Sequence, residues 1–125
     1  MKMKLVIVKA HGEFKVGDRI EATAEQAVPL INDGFCVVAS EYDAQQAVID
    51  ACAATGTWIE LNASPYRFDL DWRLWPYAKS KGVKCVINPD GHRNEHAMFL
   101  RLGAGIARKG WLTKADVINT LPLDK

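Results

Sequence analysis

The chain has 125 residues, 49% hydrophobic and 25% charged, with a formal net charge of +1. That length supports a real hydrophobic core, and that balance excludes a chain disordered throughout. The near-zero charge supplies no strong basic field for nucleic acid or a membrane surface, and no run approaches the roughly 20 apolar residues that span a bilayer.

In chain order, residues 1–41 read as a small β-β-α-β unit. Leu5 to Val8 is a largely β-branched run, Lys15-Val16-Gly17-Asp18 supplies turn residues, and Arg19 to Ala22 alternates as a second strand. Thr23 and Gln26 have capping-box spacing, so a helix starts there and Gly34 ends it. Pro29 falls inside that helix and should kink or shorten it, because proline has no N–H to donate. Phe35 to Ala39 is a third strand. With its Gly17-Asp18 turn and its Leu30-Ile31-x-x-Gly34 helix end, this segment resembles small proteins of tailed phages, an unspecific likeness that carries no function.

A seam near residues 40–43 leads into a second segment, 42–125, and the two are expected to form one compact domain. Asp43 is placed to cap a helix whose apolar stripe is Ala44, Ala47, Val48, Ala51 and Cys52, closed by Gly56. Thr57 to Leu61 reads as a strand, and Asp71 caps a helix through Lys81 that Gly82 closes and Pro76 should kink. Val83 to Ile87 is a strand, Glu95 to Leu102 a helix closed by Gly103, and Thr113 caps a final helix from Lys114 to Thr120. This strand–helix order predicts parallel pairing with crossover connections. Cys36, Cys52 and Cys85 are odd in number, widely spaced and set in apolar runs. They read as buried free thiols, which suits a reducing cytoplasm.

Four blocks stand out in the second segment: Gly56 to Arg73 (GTWIELNASPYRFDLDWR), Gly82 to His92 (GVKCVINPDGH), Arg101 to Thr113 (RLGAGIARKGWLT), and Asp116 to Thr120 (DVINT). In order and spacing they resemble the C-terminal stretch of the PHP (polymerase and histidinol phosphatase) domain attached to bacterial family X DNA polymerases, from about Tyr42 onward. The resemblance implies an α/β fold. It would be a partial PHP-type (β/α) barrel of about three β/α units, preceded by the small β-β-α-β unit as an open α/β sandwich. It also implies a metal-dependent phosphoesterase ancestry, with the site at the C-terminal ends of the strands and, in the polymerase-attached members, processing of DNA 3′ ends.

Within that resemblance Asp90 and His92 stand where the family has an Asp-x-His pair of metal ligands, with Gly91 where alanine is usual. A carboxylate and an imidazole leaving one strand end suit Zn²⁺ or Mn²⁺. The family's upstream ligands, an N-terminal His-x-His and further His and Glu residues, have no counterpart here, and two ligands make a weak site. His96, one helical turn after His92, or His11 and Glu13 could add donors; solvated surface positions are the plainer reading of all three. Glu60 and Asn62 share one strand face, a mainly structural placing. Arg67 could hold a phosphate or pair with Asp69 or Asp71. Arg108, Lys109 and Trp111 form a compact basic-aromatic turn that could meet a nucleic-acid backbone and base, but the plainer reading of Trp111 is a packing anchor for the final helix. Trp58, Trp72 and Trp75 read as core or interface residues.

A partial barrel leaves open sheet edges and an uncovered apolar face, so a homo-oligomer, a dimer, is expected. The functions in view are a non-catalytic self-associating or partner-binding scaffold, a phosphoesterase whose metal site is completed by oligomerisation, and a nucleic-acid binder without chemistry. The mismatch of the two segments suggests a recombined chain, and no membrane role is expected.

Overall fold

A computed structural model describes residues 1–67 and 69–123. The chain divides into two units, Met1–Gln45 and Gln46–Lys125. No helix among the described residues is long and apolar enough to cross a membrane.

In the first unit, strands β1 (Lys2–Ile7), β2 (Arg19–Thr23) and β3 (Cys36–Val38) form an antiparallel sheet in the order β2-β1-β3. The alternation of Leu5 and Ile7 with polar or opposite-facing neighbours puts one side of β1 into a core with Ala22, Ala27 and Cys36. Helix α1 (Ala24–Asn32) begins with the expected capping box, in which the Gln26 N–H donates to Thr23 Oγ1 and the Thr23 N–H to Gln26 Oε1. Pro29 lies inside α1 without ending it: the helix runs on to Asn32, and the Pro29 carbonyl accepts the Asp33 N–H at 2.9 Å.

Helix α2 (Ala39–Thr55) runs unbroken through the expected seam. Asp43 is therefore not its cap; it lies within the helix and makes a forked ion pair with Arg19, at 2.6 and 3.1 Å. The expected apolar stripe is also displaced. Val48 is 57% exposed, while Ile49 is fully buried. Ile49 offers more apolar area than the alanines of the expected stripe, and its burial sets which side of the helix turns inward.

In the second unit, β4 (Ile59–Asn62) and β5 (Cys85–Asn88) pair in parallel, with Ile59 opposite Cys85 and Asn62 opposite Asn88. Among the described residues no strand pairs with the other edge of β4. The outer edge of β5 is closed by the chain's last segment. Val117 bridges Cys85 in parallel, and the Asn119 side chain imitates a strand, with Oδ1 accepting the Ile87 N–H at 2.7 Å and Nδ2 donating to the Ile87 carbonyl at 2.9 Å. That edge pairing displaces the expected final helix. Thr113 and Asp116 do form a capping box, but only the single turns Lys114–Asp116 and Ile118–Thr120 come after it, separated by Val117 in extended conformation. Burying Val117 and satisfying two backbone groups of β5 outweighs continuing a short helix.

The expected helix from Asp71 is likewise split. Asp71 caps a turn at Trp72–Leu74, and α3 covers Trp75–Ser80. Pro76 falls in the first turn of α3, where a missing N–H costs no hydrogen bond, so it does not kink the helix. After a turn at Asn94–Met98, α4 covers Phe99–Lys109 and passes straight through Gly103. This glycine is not a cap. A Cβ on it would lie 2.6 Å from Ile87 Cγ2 and 2.7 Å from Ala63 Cβ, so its bareness lets α4 lie directly on the β4–β5 layer.

Cys36 and Cys85 are buried, Cys52 is partly buried, and all three thiols are free. Burial pushes the Cys85 thiol up to about 12, which makes it inert.

Candidate functional site at the strand ends

Parallel strands bring their C-terminal ends together, so the loop after Asn62 meets the loop after Asn88. The Ala63 N–H donates to the Asn88 carbonyl at 2.7 Å, extending the pairing one residue beyond β4. The side chain of Asn62, 3% exposed, turns back so that Oδ1 accepts the Ser64 N–H at 3.0 Å. Glu60, one turn of the pleat earlier, accepts from Asn88 Nδ2 at 2.8 Å. These contacts fix the two exits and leave the loop residues to carry the chemistry.

Arg67 is the centre of that chemistry. It forks onto Asp69 at 2.8 and 3.0 Å, and its third nitrogen stands 3.7 Å from Asp90 Oδ2. The Asp69 hydrogen bonds raise the guanidinium further above its ordinary value, with Asp90 and Glu60 adding to the attraction. Of the two partners expected for Arg67, Asp69 is the one taken; Asp71 is held by Arg73, whose Nε donates at 2.8 Å.

Asp90 has φ 52°, a left-handed conformation that aspartate tolerates, and it turns the chain sharply off β5. The turn sets the two histidines in opposite tautomers. His92 Nδ1 lies 2.8 Å from the Asp90 carbonyl, which can only accept, so Nδ1 carries a proton and, in the neutral ring, the lone pair is on Nε2. His96 Nδ1 accepts the His92 N–H at 3.1 Å, and its ring stacks on Phe99 with centroids 4.8 Å apart. His92 thus holds the tautomer that ligates a metal through Nε2, whereas His96 is spent on fixing the loop. The two histidines meet through this loop and not, as their spacing suggests, along one helix face.

The donor set can be tested against the metal the resemblance implies. Among the described residues no three His, Cys, Asp or Glu side chains converge to hold an ion. Asp90 and His92 supply two donors of the kind Zn²⁺ or Mn²⁺ takes, and Arg67 competes for the carboxylate. A full set is not assembled from these residues alone.

The remaining candidates lie elsewhere. In the first unit, His11 and Glu13 occupy a tight turn in which His11 bridges Phe14 and its ring sits 4.1 Å from that of Phe35. In the second unit, Lys109 Nζ lies over the Trp72 ring at 4.5 Å, Trp75 is fully buried, and Trp58 is 55% exposed. Trp111 is 75% exposed and anchors nothing in the core. Sequence reasoning passed over Tyr66, which is 91% exposed beside Arg67, and Ser64, buried at the exit of β4. A loop residue has no periodicity to betray it; the only available signal was its place between Pro65 and a cation.

No protein-family model matches the chain. It is similar to the DNA polymerase/3′-5′ exonuclease PolX of Bacillus subtilis (strain 168), 39% identical over 134 aligned positions. The match covers 98% of this chain and 23% of the relative, so the chain spans less than a quarter of that protein's length. With 98% of the chain matched, the similarity takes in both units and reaches well before Tyr42.

Proposed function

We propose that this chain is a DNA-related, PHP-derived module that presents half of a metal–phosphoester site and acts without catalysis of its own, by self-association or by binding a partner. The observation that carries the reading is the strand-end cluster. Asp90 and His92 stand together where parallel strands end, beside a phosphate-type cation in Arg67, and no third ligand joins them among the described residues. The unpaired edge of β4 supports it, because an open strand edge is a ready surface for another strand. The similarity to a DNA polymerase/exonuclease supports the DNA connection.

A second reading is a metal-dependent phosphoesterase whose site is completed by a second copy of the chain. The His92 tautomer favours it, since a ring kept with a free Nε2 lone pair is ready for a metal. One experiment separates the two. Metal content is measured at neutral pH in the native chain and in Asp90→Asn/His92→Ala, alongside the mass in solution. The module reading expects an associated chain without stoichiometric metal in either protein. Stoichiometric zinc or manganese that disappears in the double variant overturns it in favour of the phosphoesterase.

A further inference from the structure

Four helices of this protein end in the same way. At each end the residue that follows a left-handed one donates its N–H across a reversed turn to a carbonyl five residues earlier: Phe35 to Leu30 at 2.9 Å, Thr57 to Cys52 at 2.9 Å, Val83 to Ala78 at 3.0 Å and Leu112 to Ala107 at 3.0 Å. This termination requires one left-handed residue, a position that glycine fills at least cost. Gly34, Gly56 and Gly82 fill it after α1, α2 and α3, with φ between 69° and 76°. After α4 it is filled by Trp111, at φ 63°.

Glycine is available one residue earlier but is committed there. A Cβ on Gly110 would lie 2.7 Å from Trp75 Cβ and 3.1 Å from the Trp72 carbonyl. The left-handed position therefore falls to the next residue, and a small or polar side chain would bear it more easily than tryptophan. Burial does not account for the choice, because Trp111 is 75% exposed. The backbone at this residue is nonetheless held in place from behind. Lys79 Nζ donates to the Trp111 carbonyl at 3.2 Å and is itself fixed by Asp116 at 2.9 Å.

The surroundings are cationic. From residue 101 to 116 the chain carries Arg101, Arg108, Lys109 and Lys114 against Asp116, which is occupied by Lys79. Arg101 and Arg108 share one exposed face of α4 at a spacing of two turns and have no ion-pair partner among the described residues. Ala104 and Gly105 lie between them on that face, and a Cβ on Gly105 would meet nothing within 4 Å. Two free guanidinium groups over a bare helix surface, ending at a solvent-exposed indole, match a chain of phosphates that terminates in an unpaired base.

We infer that Trp111, with Arg108 and Arg101, is a binding site for single-stranded nucleic acid, in which a base stacks on the indole and the phosphates follow the outer face of α4. The site uses none of the residues of the strand-end cluster and goes beyond the module reading. A duplex keeps its bases stacked within itself and cannot make the indole contact.

The test is fluorescence anisotropy of a labelled oligothymidylate at low salt, with the full chain. The native chain binds, and its affinity falls as salt rises, because phosphate contacts release counterions. Trp111→Gly weakens binding about tenfold, the scale of one lost base stack, while its thermal midpoint stays at or above the native value. Trp111→Phe retains part of the affinity. Native-like binding by Trp111→Gly, a native chain that leaves the anisotropy unchanged, or equal affinity for a duplex of the same length overturns the proposal. Loss of self-association in Trp111→Gly without a change in oligonucleotide binding also overturns it, and assigns the indole to a protein interface.

Discussion

The ends of α3 and α4 solve one geometric problem with different residues. After α3, Gly82 sits in open space at φ 76° and serves only to reverse the backbone. After α4, the need for space and the need for reversal fall on consecutive residues, so Gly110 answers the first and Trp111 the second. The difference teaches that a glycine at a helix end can stand for either of two physical demands. Its neighbours in space, not in sequence, decide which.

The largest effect expected from breaking this arrangement is at Gly110. Gly110→Ala drives a methyl into Trp75, which is fully buried and has little room to move, and should cost about 2 kcal/mol by the scale of core overpacking. Chemical denaturation reads this as a lower midpoint at unchanged slope. Gly82→Ala tests the other demand. Nothing crowds its Cβ, so only left-handed strain remains, about 1 kcal/mol. A loss at position 82 as large as that at 110 would erase the distinction between the two glycines.

A third experiment bears on the turn that leads into α3. Burial raises the Asp71 carboxyl, but hydrogen bonds from the Arg73 side chain and backbone outweigh it and hold the group below the usual carboxylate range, with Lys109 adding attraction from the end of α4. A depressed folded value means the stabilisation is fully present above the unfolded value, near pH 3.9, and is lost as pH falls through the lower folded value. Asp71→Asn should therefore be less stable than the native chain at neutral pH by about 1 kcal/mol. The gap should close in strong acid, as thermal midpoints between pH 7 and pH 2 will read. The smallest effect is expected for Trp111→Gly. Relief of left-handed strain, about 1–2 kcal/mol, is partly offset by the greater freedom of glycine in the unfolded chain, about 0.4–1 kcal/mol. The net result is a slight rise in thermal midpoint, opposite in sign to Gly82→Ala.

Much of the fold was legible in local chemistry. The Thr23 capping box, the strands about Leu5, Leu61 and Ile87, and the terminating roles of Gly34, Gly56 and Gly82 come from residue type and spacing alone, because each is settled within a few residues of chain. The parallel pairing of β4 and β5 was legible in the same way, since strands separated by a helix pair in parallel. The places where local reasoning went astray share a cause. Gly103 looks like a cap until Ile87 and Ala63 are seen against it. Lys114 to Thr120 looks helical until Val117 and Asn119 are needed at the edge of β5. Asp43 looks like a cap until Arg19 claims it.

The site divides along the same line. The family resemblance, not residue type alone, marked Asp90 and His92 as metal-type donors, and the guanidinium of Arg67 could be read either as a phosphate contact or as a partner for Asp69 or Asp71. Tertiary structure decided which donors meet. The parallel register placed Arg67 beside Asp90, the turn at Asp90 set His92 and His96 in opposite tautomers, and the packing of Gly110 on Trp75 moved the left-handed turn onto Trp111 and out to solvent. Spacing along a chain fixes what is near within one turn of helix or one pleat of strand, whereas proximity between separate elements is set by how their surfaces fit.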